Sequence, residues 1–364
     1  MKVHITLVGG QPTPVYNGIV ATQPDKIVYV YSDESREIAE RISDEVKIPS
    51  ERRKMDPVDL SDIEKKVSQC AEQFKEDEVS VNISSGTKTW AFYFAKIFGQ
   101  MLNATLFYVD QNNTLWNLTD KSSCKVEFDM DAQFRMLGNP LDDYNMFDDF
   151  AADDKKTVGL ILDLFDYNQS SMFRIIDEAK KQTHLTEWSL KNGTFMKWDK
   201  TLKHFVVNLT KGNDCKRVVL NSPHVRGLLL KAGWFEYEVA SILKKWDKAH
   251  EIRMNCKFPY QDSATKNEID VLVGTASKLL FVECKTQIED NTDIDKFASA
   301  VRNYGGMGSK ALFVTNAPMS DKAKEKCSDY GIMTFSMQDG HFGMAAGKVL
   351  ALLLDSELFN INTK

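Results

Sequence analysis

Asn267-Glu268-Ile269-Asp270-Val271-Leu272, followed by Phe281-Val282-Glu283-Cys284-Lys285, is the stretch whose reading decides the fold of the C-terminal third. Both segments are short apolar runs, and Gly274-Thr275-Ala276-Ser277 between them supplies a turn, so they predict two strands of a hairpin. A hairpin brings Asp270 toward Glu283. Period-two alternation puts Glu283 and Lys285 on one face and turns Cys284 away, leaving its backbone carbonyl as an extra oxygen ligand. Metal-dependent phosphodiester hydrolysis calls for hard oxygen ligands around a divalent ion and a group that orients or activates water near phosphorus. Asp270 and Glu283 fit the ligand role. An isolated Glu-x-Lys is as readily a same-face ion pair on a solvated strand, so the surroundings must carry the argument.

Outward from the hairpin, a long helical segment is expected from Val225 to Trp246, containing Gly233-Trp234-Phe235-Glu236. Strands follow near Ile252 to Phe258, Ile269 to Gly274 and Leu279 to Glu283, then a helix around Asp295 to Asn303 and a strand at Ala311 to Val314. This α-β-β-β-α-β order, the helix glutamate, the Asp of the second strand and the Glu-x-Lys of the third resemble the PD-(D/E)xK nuclease superfamily across about residues 223 to 340. The resemblance implies a restriction-endonuclease-like α/β domain in which Asp270, Glu283 and Glu236 bind magnesium or manganese. Lys285 would position the attacking water or stabilise charge on the phosphorane. Glu268 shares a face with Asp270, and either a functional or a strand-anchoring role remains open for it. Glu238 competes weakly with Glu236, being turned away by roughly 200° on the helix. Lys296 and Arg302 read as an exposed basic helix face.

The first 120 residues alternate short apolar runs (Val3 to Val8, Ile27 to Tyr31, Val79 to Ile83, Ala104 to Val109) with helix-spaced sets such as Ile63, Val67, Cys70, Ala71 and Phe74. Strand-helix alternation predicts a parallel, doubly wound, Rossmann-like sheet. Two loops lie at strand ends, where such sheets bind ligands: Gly9-Gly10-Gln11-Pro12-Thr13-Pro14 and Ser84-Ser85-Gly86-Thr87-Lys88. Neither has the spacing of a recognised phosphate loop, and each taken alone is an ordinary strand-to-helix turn.

Ahead of a PD-(D/E)xK domain, however, a Rossmann-like domain with an Asn-Ile-Ser-Ser-Gly-Thr-Lys loop looks like the CARF nucleases of type III CRISPR systems, over nearly the whole chain. That resemblance implies a symmetric homodimer activated by a cyclic oligoadenylate, usually cyclic tetra-adenylate, bound across the dyad. Gly10, Gln11, Pro12 and Thr13 would line one edge of the ligand, while Ser84, Ser85, Gly86, Thr87 and Lys88 would hold phosphate and ribose. The family loop usually has two glycines before the threonine, and Ser85 stands in place of the first. Asp110 and Gln111, after the fourth strand, read either as adenine contacts or, more commonly for such positions, as surface turn residues. The substrates implied are single-stranded DNA and RNA, in antiviral defence. An ungated repair or restriction endonuclease, and a ring-nucleotide sensor without catalysis, are the competing readings; the intact Asp270, Glu283 and Lys285 speak against the second.

Length and composition set bounds on these readings. A chain of 364 residues, 43% hydrophobic, has room for about two domains at roughly 150 residues each. We expect a CARF domain over 1–140, a linker and connecting segment over 141–222, and a nuclease domain over 223–364. The acidic run Asp142 to Asp154 after Gly138-Asn139-Pro140 reads as a solvated linker with a few docked aromatics. The net charge of −6 neither supports nor excludes a nuclease, since 46 Lys and Arg can still line one groove. Six scattered cysteines with no CxxC pair argue against zinc and disulfides. No apolar stretch approaches the ~20 residues that span a bilayer, and a cytoplasmic location is expected.

Overall fold

Apolar runs and amphipathic segments at the start of the chain fold into strand and helix in turn. In the computed structural model, which describes residues 1–259, 265–288, 292–306, 308–337 and 344–361, these are β1 (Lys2–Leu7), α1 (Thr13–Thr22), β2 (Lys26–Tyr31), α2 (Arg36–Val46), β3 (Ser50–Lys54), α3 (Leu60–Gln73), β4 (Glu78–Asn82), α4 (Lys88–Phe98) and β5 (Ala104–Val109). All five strands are parallel, and β6 (Thr114–Asn117) and β7 (Ser123–Lys125) extend the sheet antiparallel in the order β3-β2-β1-β4-β5-β6-β7. Helices cover both faces, so Ile5, Leu7, Val28, Val30 and Val81 are buried on one face and Ile27 and Tyr29 on the other. Chain order runs outward in opposite directions from β1 and β4. The topological switch point therefore lies between them.

The next helix, α5 (Met130–Met136), joins this domain to the rest. Met130 and Phe134 enter the core of the C-terminal sheet, whereas Ala132 and Met136 enter the core beneath α1 and α2. Phe134 is fully buried, with its ring 5.2 Å from Phe258 and 6.3 Å from Phe281.

The segment 141–222, expected to be a linker and connecting segment, carries extensive structure. β8 (Asp143–Met146) pairs with a strand of the C-terminal sheet, and a short 3-10 turn leads into α6 (Ala152–Lys181). An antiparallel sheet follows, made of β9 (Glu187–Ser189), β10 (Phe195–Asp199), β11 (His204–Lys211) and β12 (Asp214–Leu220). The acidic run looked solvated because its aspartates outnumber its anchors. Here Asp143 meets Lys257 at 2.6 Å and Asp148 meets Lys244 at 2.7 Å, while the Phe147 and Phe150 rings pack 5.2 and 5.3 Å from Tyr237.

The helical segment expected over Val225 to Trp246 is two helices, α7 (Val225–Leu230) and α8 (Gly233–Leu243). Ala232 breaks the segment at φ +63°, and Gly233 leaves room for the carbonyl of Gly227, which a Cβ would approach to 3.0 Å. Beyond them come β13 (Glu251–Pro259), β14 (Thr265–Gly274), β15 (Leu279–Lys285), α9 (Thr292–Tyr304), β16 (Lys310–Thr315), α10 (Asp321–Asp329), β17 (Ile332–Ser336) and α11 (Met344–Phe359). Their sheet has the order β17-β16-β15-β14-β13-β8, with β13, β14 and β15 antiparallel and β15, β16 and β17 parallel. The expected α-β-β-β-α-β succession is present within it. No helix among the described residues is long and apolar enough to cross a membrane.

Because Phe134 fills the C-terminal core from a helix that also serves the N-terminal one, Phe134→Ala should lower the unfolding free energy by about 3–5 kcal/mol. Denaturant unfolding followed by circular dichroism measures this. A change under about 1 kcal/mol would mean that the site collapses around the cavity and that α5 is not a structural joint.

Candidate active site and ligand crevice

Asp270 and Glu283 meet where the β14–β15 ladder ends. Its register runs from Gly274↔Leu279 to Val271↔Val282, so the next pair across the strands is Asp270 and Glu283. There the ladder gives way to a side-chain bond, the Cys284 N–H donating to Asp270 Oδ2 at 2.7 Å. Lys285 Nζ lies 2.5 Å from Glu283 Oε1, as the shared strand face predicts. Cys284 is buried on the opposite face, against the core that holds α8. Glu236, in the first turn of α8, lies near enough to interact electrostatically with Asp270, Lys285 and Glu283.

Burial decides the electrostatics. Burial first, then repulsion from Asp270, pushes Glu236 up to about 9 and Glu283 up to about 8. Burial also raises Asp270, against the opposing pull of Lys285 and the Cys284 N–H. For Lys285 burial works downward, but Glu283 and Asp270 outweigh it and raise the ammonium above its ordinary range. Glu268 is exposed on β14 and adds to the charge felt by Glu236. Glu238 is raised by burial alone, without influence from this group.

Carboxylates crowded into a poorly hydrated corner, with no thiolate or imidazole among the described residues turned toward them, are a donor set suited to a hard divalent cation. Among the described residues no three His, Cys, Asp or Glu side chains converge into a ready-made ligand shell. Two opposed carboxylates fit an ion such as magnesium, which is commonly held by one or two of them and keeps several waters.

The two N-terminal loops meet at the switch point. Residues 8–12 lead from β1 into α1, and residues 83–87 from β4 into α4, so two helix N-termini open on one crevice. The Gly9 N–H donates to Ser85 Oγ at 3.0 Å, and a Cβ on Gly9 would stand 2.8 Å from the Gly86 nitrogen. Gly86 has φ +76° and lies over Leu7 and Trp90, where a Cβ would meet both at 2.9 Å. Thr87 caps α4 by accepting the Trp90 N–H at 3.2 Å.

Gly10 and Lys88 are exposed, and Gln11 and Thr13 are half-buried, whereas Pro12 is buried at the start of α1. Ser84 faces inward: its hydroxyl bonds Asn82 and accepts the Val109 N–H at 2.6 Å. Asp110 holds its own turn through the N–H groups of Asn112 and Thr114. Gln133 escaped the sequence reading. It accepts a hydrogen bond from Thr13 across 120 residues and lines, with Gln11, Lys278 and Lys310, a cavity of about 290 Å³ between the domains. No local motif marks it, because α5 brings it there.

A Rossmann-like sheet with a crevice at its switch point, joined to an Asp and Glu-x-Lys hairpin, is a two-domain α/β architecture that known proteins share. Residues 224–335 match the family model described as Card1-like, endonuclease domain, and residues 2–114 match the HFX_2341_N-like N-terminal family. The C-terminal part is thus similar in sequence to a Card1-like endonuclease domain. No curated protein sequence matches the chain significantly. Among solved structures, Can2 from Sulfobacillus thermosulfidooxidans in complex with cyclic tetra-adenylate superposes with a TM-score of 0.70 at 18% identity, over 98% of this chain and 99% of that one. Protein VC1899 from Vibrio cholerae gives 0.74 at 15% identity, over 98% of both chains. A type III CRISPR defence DNA nuclease activated by cyclic oligoadenylate gives 0.57 at 17% identity, over 96% of this chain and 51% of that one.

The raised carboxylates predict a pH dependence of stability. Glu236 near 9 and Glu283 near 8 stand above the ordinary 4.5, so between those values the folded chain holds protons that the unfolded chain has released. Unfolding free energy then falls as pH rises through that window. In chelator, the melting temperature should drop from about pH 5 to about pH 9, with Glu283→Gln flattening the slope. A profile that Glu283→Gln leaves unchanged would place that carboxylate in water.

Proposed function

We propose that the chain is a metal-dependent endonuclease switched on by a cyclic oligoadenylate, cyclic tetra-adenylate in the first instance, and that it cleaves single-stranded DNA and RNA as a homodimer. The observation that carries this reading is the opposition of Asp270 and Glu283 at the end of the β14–β15 ladder with Lys285 alongside. Asp270 and Glu283 would hold magnesium or manganese, with Glu236 completing the site from α8 and the Cys284 carbonyl available as a further oxygen. The ion would neutralise the crowded carboxylates and polarise the phosphodiester. Lys285 would then leave Glu283 for the phosphate, where its ammonium steadies the charge that grows on the oxygens as water attacks.

On the sensing side, the ligand would lie over the crevice, with Gly10, Gln11, Pro12 and Thr13 along one edge. Ser85, Gly86, Thr87 and Lys88 would meet phosphate and ribose, with Ser84 bracing the loop from beneath. The Can2 structure holds cyclic tetra-adenylate in the same overall architecture. A two-fold ring suits an isologous dimer. Exposed Phe92, one turn beyond Lys88 on α4, and exposed Val58 and Leu60 form an apolar patch beside the crevice, joined through the Thr89 hydroxyl on the Pro57 carbonyl at 2.9 Å. That patch supports pairing through this face.

Lys285→Ala should abolish cleavage of labelled single-stranded DNA and RNA in manganese while leaving affinity for cyclic tetra-adenylate unchanged. Lys88→Ala should do the reverse, raising the activator concentration needed by about tenfold with full turnover at saturation. Retained cleavage in Lys285→Ala defeats the catalytic assignment. Full activity of the unsubstituted chain without any ring nucleotide marks an ungated nuclease.

A further inference from the structure

The middle of the chain has no part in the reading above, yet it forms one wall of a groove of about 820 Å³ beside the hairpin site. Trp234, at the start of α8, and Asn316, just past β16, contribute from the nuclease domain. Tyr167, Asn168 and Gln169 from α6 and Lys211 from the end of β11 face them. Asn316 belongs to both places, because its backbone N–H donates to the Lys285 carbonyl at 3.0 Å. The groove therefore begins one hydrogen bond from the Glu-x-Lys motif.

The wall is produced by a break in a helix. Asn168 departs from helical geometry at φ −154°, ψ 83°, which kinks α6 in the middle. Its amide donates to the Thr210 carbonyl at 2.8 Å, and its side-chain oxygen accepts the Ser171 N–H at 3.2 Å, so the side chain ties the kink to β11 and caps the second half of the helix. The kink sets Tyr167 and Gln169 on the rim.

The chemistry presented is specific. The Tyr167 hydroxyl is buried without a hydrogen-bond partner among the described residues. Lys211 is exposed, its ammonium 5.9 Å from the Tyr167 ring centre, and it forms no ion pair among the described residues, although Asp166 also lines the groove. An aromatic ring, three side-chain amides and a cation beside a phosphodiester site match a flexible polynucleotide strand, whose bases stack and whose phosphates seek positive charge.

We propose that this groove seats the single-stranded polynucleotide on one side of the bond to be cut, with Lys211 against a backbone phosphate and Tyr167 against a base. The assignment rests on the nuclease reading of Asp270, Glu283 and Lys285, and it gives the segment 152–220 a role in holding substrate. A second basic groove, of about 720 Å³ with Lys200, Lys203 and Arg226 around Trp198, serves as the comparison.

The test uses the full chain. Affinity for fluorescein-labelled oligothymidylate and oligouridylate is measured by anisotropy at several salt concentrations, with cyclic tetra-adenylate present, in a Lys285→Ala background so that no probe is consumed. Lys211→Glu should weaken binding about tenfold or more and flatten its salt dependence, and Gln169→Glu, at an exposed position, should weaken it through the same repulsion. Lys203→Glu should bind as the parent does. With Lys285 restored, Lys211→Glu should raise KM more than it lowers kcat. Unchanged binding in both groove variants, or a loss confined to Lys203→Glu, overturns the proposal. If the unsubstituted chain cuts neither nucleic acid while Lys211→Glu still abolishes binding, the nuclease reading fails and the groove stands.

Discussion

One helix turned toward two cores sets the geometry of the whole chain. At 3.6 residues per turn, Met130 and Phe134 share one side of α5 while Ala132 and Met136 share the other, and all four are buried. The N-terminal sheet and the nuclease sheet therefore cannot separate without exposing apolar surface on one of them. Polar contacts reinforce the joint: Arg253 on β13, almost fully buried, reaches Asp131 on α5, and Asn113 beside β6 donates to the Ala276 carbonyl in the β14–β15 turn at 3.3 Å. On the activation proposed above, a ligand at the crevice would act by changing how two whole chains meet, because the joint within one chain leaves little freedom to hinge.

The same economy of freedom appears at the hairpin site. Strand pairing stops one step short of Asp270 and Glu283 because the Asp270 carboxylate takes the N–H of Cys284. This fixes the carboxylate, at the cost of burying charge beside charge, and the raised Glu236 and Glu283 record that cost. A fold selected for stability alone would place apolar residues there, as the flanking Val271 and Val282 already are. Local strain concentrated where chemistry is expected is the pattern of a functional site.

The sequence made the sheets and the hairpin legible because their signals are local: apolar runs of strand length, turn residues between them, and the two-residue offset of Glu283 and Lys285. Glu236 was singled out only through the family pattern it would complete with the hairpin. What escaped depends on contacts distant in sequence. Gln133 reaches Thr13 only through the placement of α5, and β8 emerges from an acidic run only because Lys257 and the sheet edge at β13 receive it. The break at Ala232 was hidden because alanine ordinarily continues a helix, and its positive φ is imposed by the packing of α7 against α8. The middle module was missed for a related reason: alternation in β10 to β12 is interrupted by lysines and asparagines, and the helix that covers the sheet is broken at Asn168.

Ser85 shows how a departure from a family pattern can be structural in effect. Two glycines would leave the second loop free to approach the first, whereas the Ser85 hydroxyl receives the Gly9 N–H and ties the loops together. Gly9 cannot reciprocate with a side chain, since a Cβ there would collide with the backbone of Gly86. The crevice is thus braced from within: a serine on one loop holds a glycine on the other, and Ser84 is occupied below with Asn82 and Val109. On the proposed sensing role, ligand contacts at this edge would fall to backbone amides, to Thr87 and to Lys88, groups suited to phosphate and ribose rather than to a base. On the proposed ring-nucleotide role, discrimination among rings of different size would come from the spacing of two such crevices across a dimer, with the exposed Val58, Leu60 and Phe92 as the side chains to set it.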